Sequence, residues 1–196
     1  MGYIPDIYHY DKIVDVNDFI KNVDFVVLKA TEGQTFVDSK IFDRIKLCEK
    51  CNIPYWVYCF LRNGNEKAQA KFMVDTVKKH IGKNFVGYVL DAECKNKNEN
   101  IEDAMKWLRT LNVKSMLYYM YADYNMYFDL YMYRDNKTGI WEARYGLNNG
   151  KYSSKYPPHK KVDLHQYTDA GRCPGLSGDV DLNRVYARQL SWFTTP

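Results

Sequence analysis

Short apolar runs alternating with amphipathic stretches constrain this chain most. Gly2-Tyr3-Ile4-Pro5 leads into Asp6, and residues 24–30, 53–58, 85–90 and 113–119 read as buried strands. Between them, residues 38–51, 65–81 and 101–111 carry apolar side chains at helical spacing, for example Ile41, Phe42, Ile45 and Cys48. Strand–helix repetition implies right-handed crossovers and a parallel sheet. Five such units predict a barrel rather than an open sheet. After about residue 130 the pattern changes. Residues 140–145, 162–167 and 180–182 are strand-like, separated by loops containing Gly and Pro, and 184–192 is predicted as a last helix. The expected fold class is α/β: an irregular TIM-like barrel of five β/α units closed by three further β-strands.

A length of 196 residues suits one domain with a substantial core. The expected division is one domain over 1–193 and, at 194–196, the start of a linker. The aromatic count is high, with 18 Tyr, 9 Phe and 4 Trp. Tyr and Trp offer a flat apolar face with a polar tip, which suits sugar rings and also fills cores. Trp56, Trp107 and Trp141 read as core residues. The net charge of +4 is mild, and its densest patches are His159-Lys160-Lys161 and Lys78-Lys79-His80. No nucleic-acid module is present, and a positive balance favours an anionic polymer such as a bacterial wall.

Five cysteines are an odd number, which argues against a complete disulfide framework. Cys48-Glu49-Lys50-Cys51 has metal-type spacing but no second pair or His cluster, so it reads as a helical turn and no metal site is expected. The start of the chain has no signal-peptide pattern, and no apolar run is long enough to span a membrane. The expectation is synthesis in the cytoplasm without membrane insertion. If the substrate lies outside the cell, release must come from another device.

The chemistry concentrates in Leu90-Asp91-Ala92-Glu93. In a strand, side chains repeat every second residue, so Asp91 and Glu93 share a face. Two crowded acids cannot both ionise freely, and a protonated acid beside an ionised one is equipment for cleaving a glycosidic bond. Other polar residues also end predicted strands. They are Asp6, Glu32, Tyr58 and Tyr118 on the first, second, third and fifth, with Tyr145, Gln166 and Asp181 on the last three. A parallel barrel builds its site at the C-terminal ends of its strands, so these converge on one acidic, tyrosine-lined cleft.

Taken together, these motifs resemble the glycoside hydrolase family 25 lysozymes, the muramidases of bacteria and their phages. The resemblance rests on Lys29-Ala30-Thr31-Glu32-Gly33, Leu90-Asp91-Ala92-Glu93, Trp141-Glu142-Ala143-Arg144-Tyr145, Gln166-Tyr167-Thr168 and Gly178-Asp179-Val180-Asp181-Leu182-Asn183, in order. It departs from the family at Pro5-Asp6-Ile7-Tyr8-His9, at Cys59 where the family often has His, and at His165 where it commonly has Trp; the carboxylates remain. The resemblance implies hydrolysis of the β-1,4 bond between N-acetylmuramic acid and N-acetylglucosamine in Gram-positive peptidoglycan, without a cofactor. The implied setting is an endolysin or autolysin acting at the wall, with 1–193 as its catalytic domain and the linker at 194–196 leading to a C-terminal wall-binding region.

On this reading Glu93 is the general acid. Asp91 either assists the substrate's 2-acetamido group or acts directly, as nucleophile or base. Asp6 and Asp181 shape the charge, Tyr58 and Tyr118 donate hydrogen bonds, Tyr145 and Gln166 bind substrate, and Glu32 bonds between strands. Asp179 is set aside as exposed. Two alternatives compete: a wall-binding module that has lost catalysis, and an N-acetylglucosaminidase or chitinase-like glycosidase. Val86-Gly87-Tyr88-Val89, where a chitinase would carry further Asp residues, argues against the last.

Overall fold

Each apolar run divides, with a period of two, into an inward and an outward set. In the computed structural model, which describes residues 2–196, this alternation closes a barrel; Met1 of the expected domain lies outside the described residues. The barrel strands are β1 (Pro5–Ile7), β2 (Val26–Glu32), β3 (Tyr55–Phe60), β4 (Phe85–Asp91), β5 (Lys114–Met120), β6 (Thr138–Ala143), β7 (Leu164–Gly171) and β8 (Val180–Val185). Strands β2 to β7 pair in parallel in that order, and β1 pairs in parallel with β2. Strand β8 closes the ring, antiparallel to both β7 and β1. The short strand Phe36–Val37 sits outside, paired only with β2, and Lys12–Ile13 pairs with Leu176–Ser177. The expected barrel of five β/α units and three closing strands is the fold observed.

Six helices lie among the described residues: α1 (Val16–Asn22), α2 (Ile41–Cys51), α3 (Glu66–Val77), α4 (Asn98–Thr110), α5 (Tyr124–Tyr127) and α6 (Leu190–Thr194). Helix α2 buries Ile41, Ile45 and Cys48, and α4 buries Ile101, Ala104, Met105 and Leu108, each set on one face. Asn52 ends α2 in the left-handed conformation, which Asn tolerates. No helix among the described residues is long and apolar enough to cross a membrane. All five cysteines are free.

Two expectations need correction. Residues 184–192 are not one helix: Arg184 and Val185 continue β8, opposite His165 and Leu164, and only Leu190–Thr194 is helical. Ladder pairing with β7 overrides a helical pattern that is local to the segment. Helix α1 was not anticipated; Asp15 caps it by accepting from the Asp18 N–H at 2.9 Å. Between β5 and β6 the chain makes 3₁₀ turns at Tyr121–Asp123 and Phe128–Tyr133 around the four-residue α5, where the other units carry a long helix.

The outward residues Leu28, Val57, Tyr88, Leu90, Leu117 and Ile140 pack in the layer under the helices. The inward residues Ile4, Val27, Trp56, Val89, Met116 and Leu164 fill the barrel. Gly87 is required there, because a Cβ would lie 2.3 Å from the Lys114 carbonyl and 2.6 Å from the Trp56 ring. Helix α6 plugs the lower end. Phe193 is fully buried, stacks on Phe25 with centroids 5.4 Å apart, and its carbonyl accepts from Trp56 Nε1 at 3.0 Å. The expected domain boundary at 193/194 falls inside α6, and Lys114 Nζ holds the Thr195 carbonyl at 2.6 Å. Phe193→Ala should lower stability by about 3–5 kcal/mol, the usual cost of deleting a buried aromatic ring. Urea unfolding of the two proteins measures it, and a difference under about 1 kcal/mol would show that α6 is not the plug.

Candidate active site

The polar site residues are the next inward positions above the apolar filling. Two residues beyond Ile4, Val27, Trp56, Val89, Met116 and Leu164 stand Asp6, Lys29, Tyr58, Asp91, Tyr118 and Gln166. Strand parity therefore aims all six into one cleft of about 440 Å³ at the top of the barrel. Because β8 is antiparallel, Asp181 reaches the same rim from the start of its strand, directly opposite Asp6. Glu93 lies two residues past Asp91; the N–H of Ala92 between them still donates to the Tyr118 carbonyl at 2.9 Å, which keeps strand alternation going.

Of the residues singled out in the sequence, Asp6, Tyr58, Asp91, Glu93, Tyr118, Tyr145, Gln166 and Asp181 all line this cleft. Glu32 does not. Its carboxylate stands behind the wall, accepting from Lys29 Nζ at 2.7 Å and from Arg62 Nη2 at 2.5 Å. Asp179, set aside as exposed, lies on the rim and pairs with Arg172 at 3.0 Å. Trp141, read as core, is buried and also lines the cleft. Trp56 closes the barrel bottom, and Trp107 packs against the outer layer.

A hydrogen-bond network fixes Asp6. Its Oδ2 accepts from Asn183 Nδ2 at 2.7 Å and from Gln166 Nε2 at 3.1 Å. Gln166 Oε1 in turn accepts from the hydroxyls of Tyr118 at 2.9 Å and Tyr145 at 2.7 Å. Asn183 Oδ1 accepts from Trp141 Nε1 at 2.7 Å. Asn183 and Lys29 were missed as site residues, although both sit inside quoted motifs. Their parity with Asp181 and with Val27 was the signal that could have found them.

The carboxyls form two pairs. In the first, burial pushes Asp181 up to about 9 and Asp6 up to about 6; the charge of Asp6 adds to the rise at Asp181, while Asn183 and Gln166 hold Asp6 down. In the second, burial and then Glu93 raise Asp91 well above the carboxylate range. Glu93 faces solvent on its open side with protein around the rest. Desolvation raises its pKa, while a hydrogen bond with Asp91 and the charge of Lys29 oppose the rise. Asp91 Oδ1 is buried with no N–H or hydroxyl donor aimed at it, which, like the neighbouring Glu93, disfavours the ionised form of Asp91. Lys29 is the one cation among the residues lining the cleft; its ammonium lies 4.9 Å from the Phe60 ring centre.

A closed α/β barrel with two crowded carboxyl pairs in a tyrosine-walled cleft is the kind of arrangement that glycoside hydrolysis uses. Residues 5–176 match the family model of glycosyl hydrolases family 25, and the chain belongs to that family. It is 26% identical over 189 residues to an autolytic lysozyme of Clostridium acetobutylicum, covering 91% of this chain and 54% of that protein. The chain thus spans about half the length of this curated relative. Among solved structures, a family 25 virulence factor of Streptococcus pneumoniae superposes with a TM-score of 0.82 at 19% identity, over 100% of this chain and 94% of the other. A lysozyme from Streptomyces coelicolor gives 0.75 at 21%, over 98% and 96%. The catalytic domain of an endolysin from a Listeria monocytogenes bacteriophage gives 0.78 at 24%, over 95% and 94%. At these identities the structures are similar in fold.

A carboxyl whose folded pKa exceeds its unfolded value binds a proton that the unfolded chain has released. Its contribution to stability is full below about pH 4 and is lost as pH rises through the folded value. For Asp181 that window runs from about 4 to about 9. His165, pushed down to about 4 by burial, acts the opposite way, losing stability as pH falls from about 6.5, but it cancels in a difference between variants. Asp181→Asn should therefore gain in Tm relative to the parent as pH rises from 4 to 9. A difference independent of pH would show that Asp181 titrates normally.

Proposed function

We propose that this protein hydrolyses the β-1,4 bond between N-acetylmuramic acid and N-acetylglucosamine in peptidoglycan, at the wall of a Gram-positive bacterium after release from the cell. The observation that carries the reading is that Asp91 and Glu93 line one cleft walled by Tyr58, Tyr118 and Tyr145, where burial and then Glu93 push the Asp91 carboxyl well above its usual range. Family membership and the autolytic lysozyme relative support the substrate class.

A carboxyl that burial and Glu93 push well above the usual range is a poor direct nucleophile, which favours Asp91 acting on the 2-acetamido group over Asp91 acting directly. The acetamido N–H donates to Asp91, which stabilises its ionised form and moves its proton to Glu93. Glu93 then gives that proton to the leaving glycosidic oxygen. The acetamido carbonyl oxygen bonds to the anomeric carbon as the glycosidic bond breaks. Water adds to the resulting bicyclic ion, Glu93 takes the water's proton, and configuration is retained. Tyr58, Tyr118, Tyr145, Gln166, Asp6 and Asp181 hold the sugar and fix the field around this exchange.

Glu93→Gln keeps the shape and removes the transferable proton, so activity should fall by about 10²–10⁴. Near-normal turnover of purified peptidoglycan would remove Glu93 from the role. Mass spectrometry of borohydride-reduced digests tests the bond: muramitol ends are expected, and glucosaminitol ends would assign cleavage to the other linkage.

Lys29 and Glu32 should tune the pH range in opposite directions. Lys29→Met removes a cation facing Asp91 and Glu93, so their pKa values rise and both limbs of the kcat/KM profile move to higher pH. Glu32→Gln leaves the charge of Lys29 uncompensated and moves both limbs down. Limbs that stay fixed, or move the same way in both variants, would contradict this coupling.

A further inference from the structure

The cleft is lined by seven carboxylic acids and one lysine, yet the chain as a whole carries +4. Its positive surplus is concentrated in one place. The β6–β7 connection, residues 144–163, holds Arg144, Lys151, Lys155, Lys160 and Lys161 and a single acid, Asp163, which is buried and paired with Arg134 and Arg188. The four lysines are exposed and take part in no ion pair among the described residues. The last two, with His159, are the patch singled out in the sequence, and the glycosidic chemistry does not use them.

Lys160 and Lys161, with His159, form one side of a groove of about 590 Å³ that shares no lining residue with the catalytic cleft. Its other side is mainly apolar, with Tyr124, Phe128, Tyr131 and Met132, Phe128 being 55% and Met132 79% exposed, and carries one exposed acid, Asp129. The wall between is built rather than loose. Buried Glu142 accepts from the His159 N–H at 3.1 Å and holds its ring Nδ1 at 2.7 Å. The His159 ring lies between Tyr124, at 3.6 Å and 12°, and Tyr121, at 4.4 Å and 14°. The Arg144 guanidinium lies 3.9 Å from the far Tyr121 ring. This stack starts beside Tyr145 of the cleft and ends in the groove. Asp123, next to Tyr124 in the chain, is close enough to Glu93 for its charge to act on that carboxyl.

We infer that the groove between Lys160-Lys161 and Tyr124-Phe128-Met132 binds the peptide stem that branches from the muramoyl sugar of the strand in the cleft. This inference rests on the peptidoglycan reading above. The stem carries small apolar side chains, free carboxylates and the amine of its diamino acid, matching a groove that offers an apolar side, the cations Lys160 and Lys161, and the single acid Asp129. A five-residue stem reaches about 17 Å when extended, enough to leave the cleft along the stacked wall. Exposed cations at such a rim act mainly on capture and on its salt dependence.

The test compares phosphate-free peptidoglycan carrying its stems with the same glycan stripped by an amidase, using the parent and the K160Q/K161Q protein. The ratio of kcat/KM on stem-bearing to stripped glycan should fall about five-fold in the variant, and more steeply at low salt. An equal loss on both substrates, or no loss on either, overturns the inference. So does a loss seen only on walls that retain phosphate polymers, which would assign the groove to those. If the parent turns over neither glycan, the muramidase reading fails instead. Fluorescence titration of both proteins with the free stem peptide then still decides the groove: saturable binding weakened in K160Q/K161Q supports it, and equal or absent binding overturns it.

Discussion

The period of two along each barrel strand is the constraint on which the rest depends. A closed barrel admits one inward set per strand, and that set must fill the interior at the bottom and meet solvent at the top. Val27, Trp56, Val89 and Met116 do the first, and Lys29, Tyr58, Asp91 and Tyr118, two residues on, do the second. A one-residue slip in any strand would exchange a carboxyl or phenol for an aliphatic residue such as Leu90 or Leu117. Register and site chemistry are therefore one property of this fold. Gly87 pins that register, since Trp56 and the Lys114 carbonyl leave no room there for a side chain.

The top of the barrel is electrostatically costly. Asp6 and Asp91 are buried beside further acids, an arrangement that folding alone would not favour. Two devices keep it tolerable. Protons are retained on the pairs, so fewer charges are present than there are carboxyls. Amide and indole donors fix the group left ionised, as Asn183 and Gln166 do for Asp6, with Trp141 orienting Asn183 from behind. Lys29 adds one compensating charge, held in place by Glu32, which is itself held by Arg62. The residues behind the cleft thus determine how many protons the cleft carries.

Much of this was legible in the sequence because it is local. Apolar alternation marked the parallel strands, and the Asp-x-Glu spacing placed two carboxyls on one face before any coordinates were considered. What was not legible is non-local. The direction of β8 has no local signature; it follows from pairing with β7 and β1, and it brings Asp181 to the rim from the wrong end of its strand. The same pairing converts residues 184 and 185 from a helical pattern into ladder. Glu32 looked like a strand-end cleft residue, but only the third dimension shows Lys29 standing between it and the cavity. Trp141 was read as core because aromatic side chains usually are, and at the barrel mouth core and cleft are the same surface.

Charge is also partitioned in a way that follows from the chemistry. On the proposed reading, a general acid that must stay protonated needs a negative neighbourhood, so cations are costly inside the cleft, and Lys29 is the single one lining it. A polymer bearing carboxylates would be repelled by that mouth. On that reading, attraction has to come from a surface outside the cleft, where exposed cations are screened by salt from Glu93. The β6–β7 connection meets this requirement in its composition: its four lysines are exposed, and Arg144, next to Tyr145 in the chain, is half-buried and drawn against the Tyr121 ring. The missing long helix after β5 leaves the space in which that flank lies.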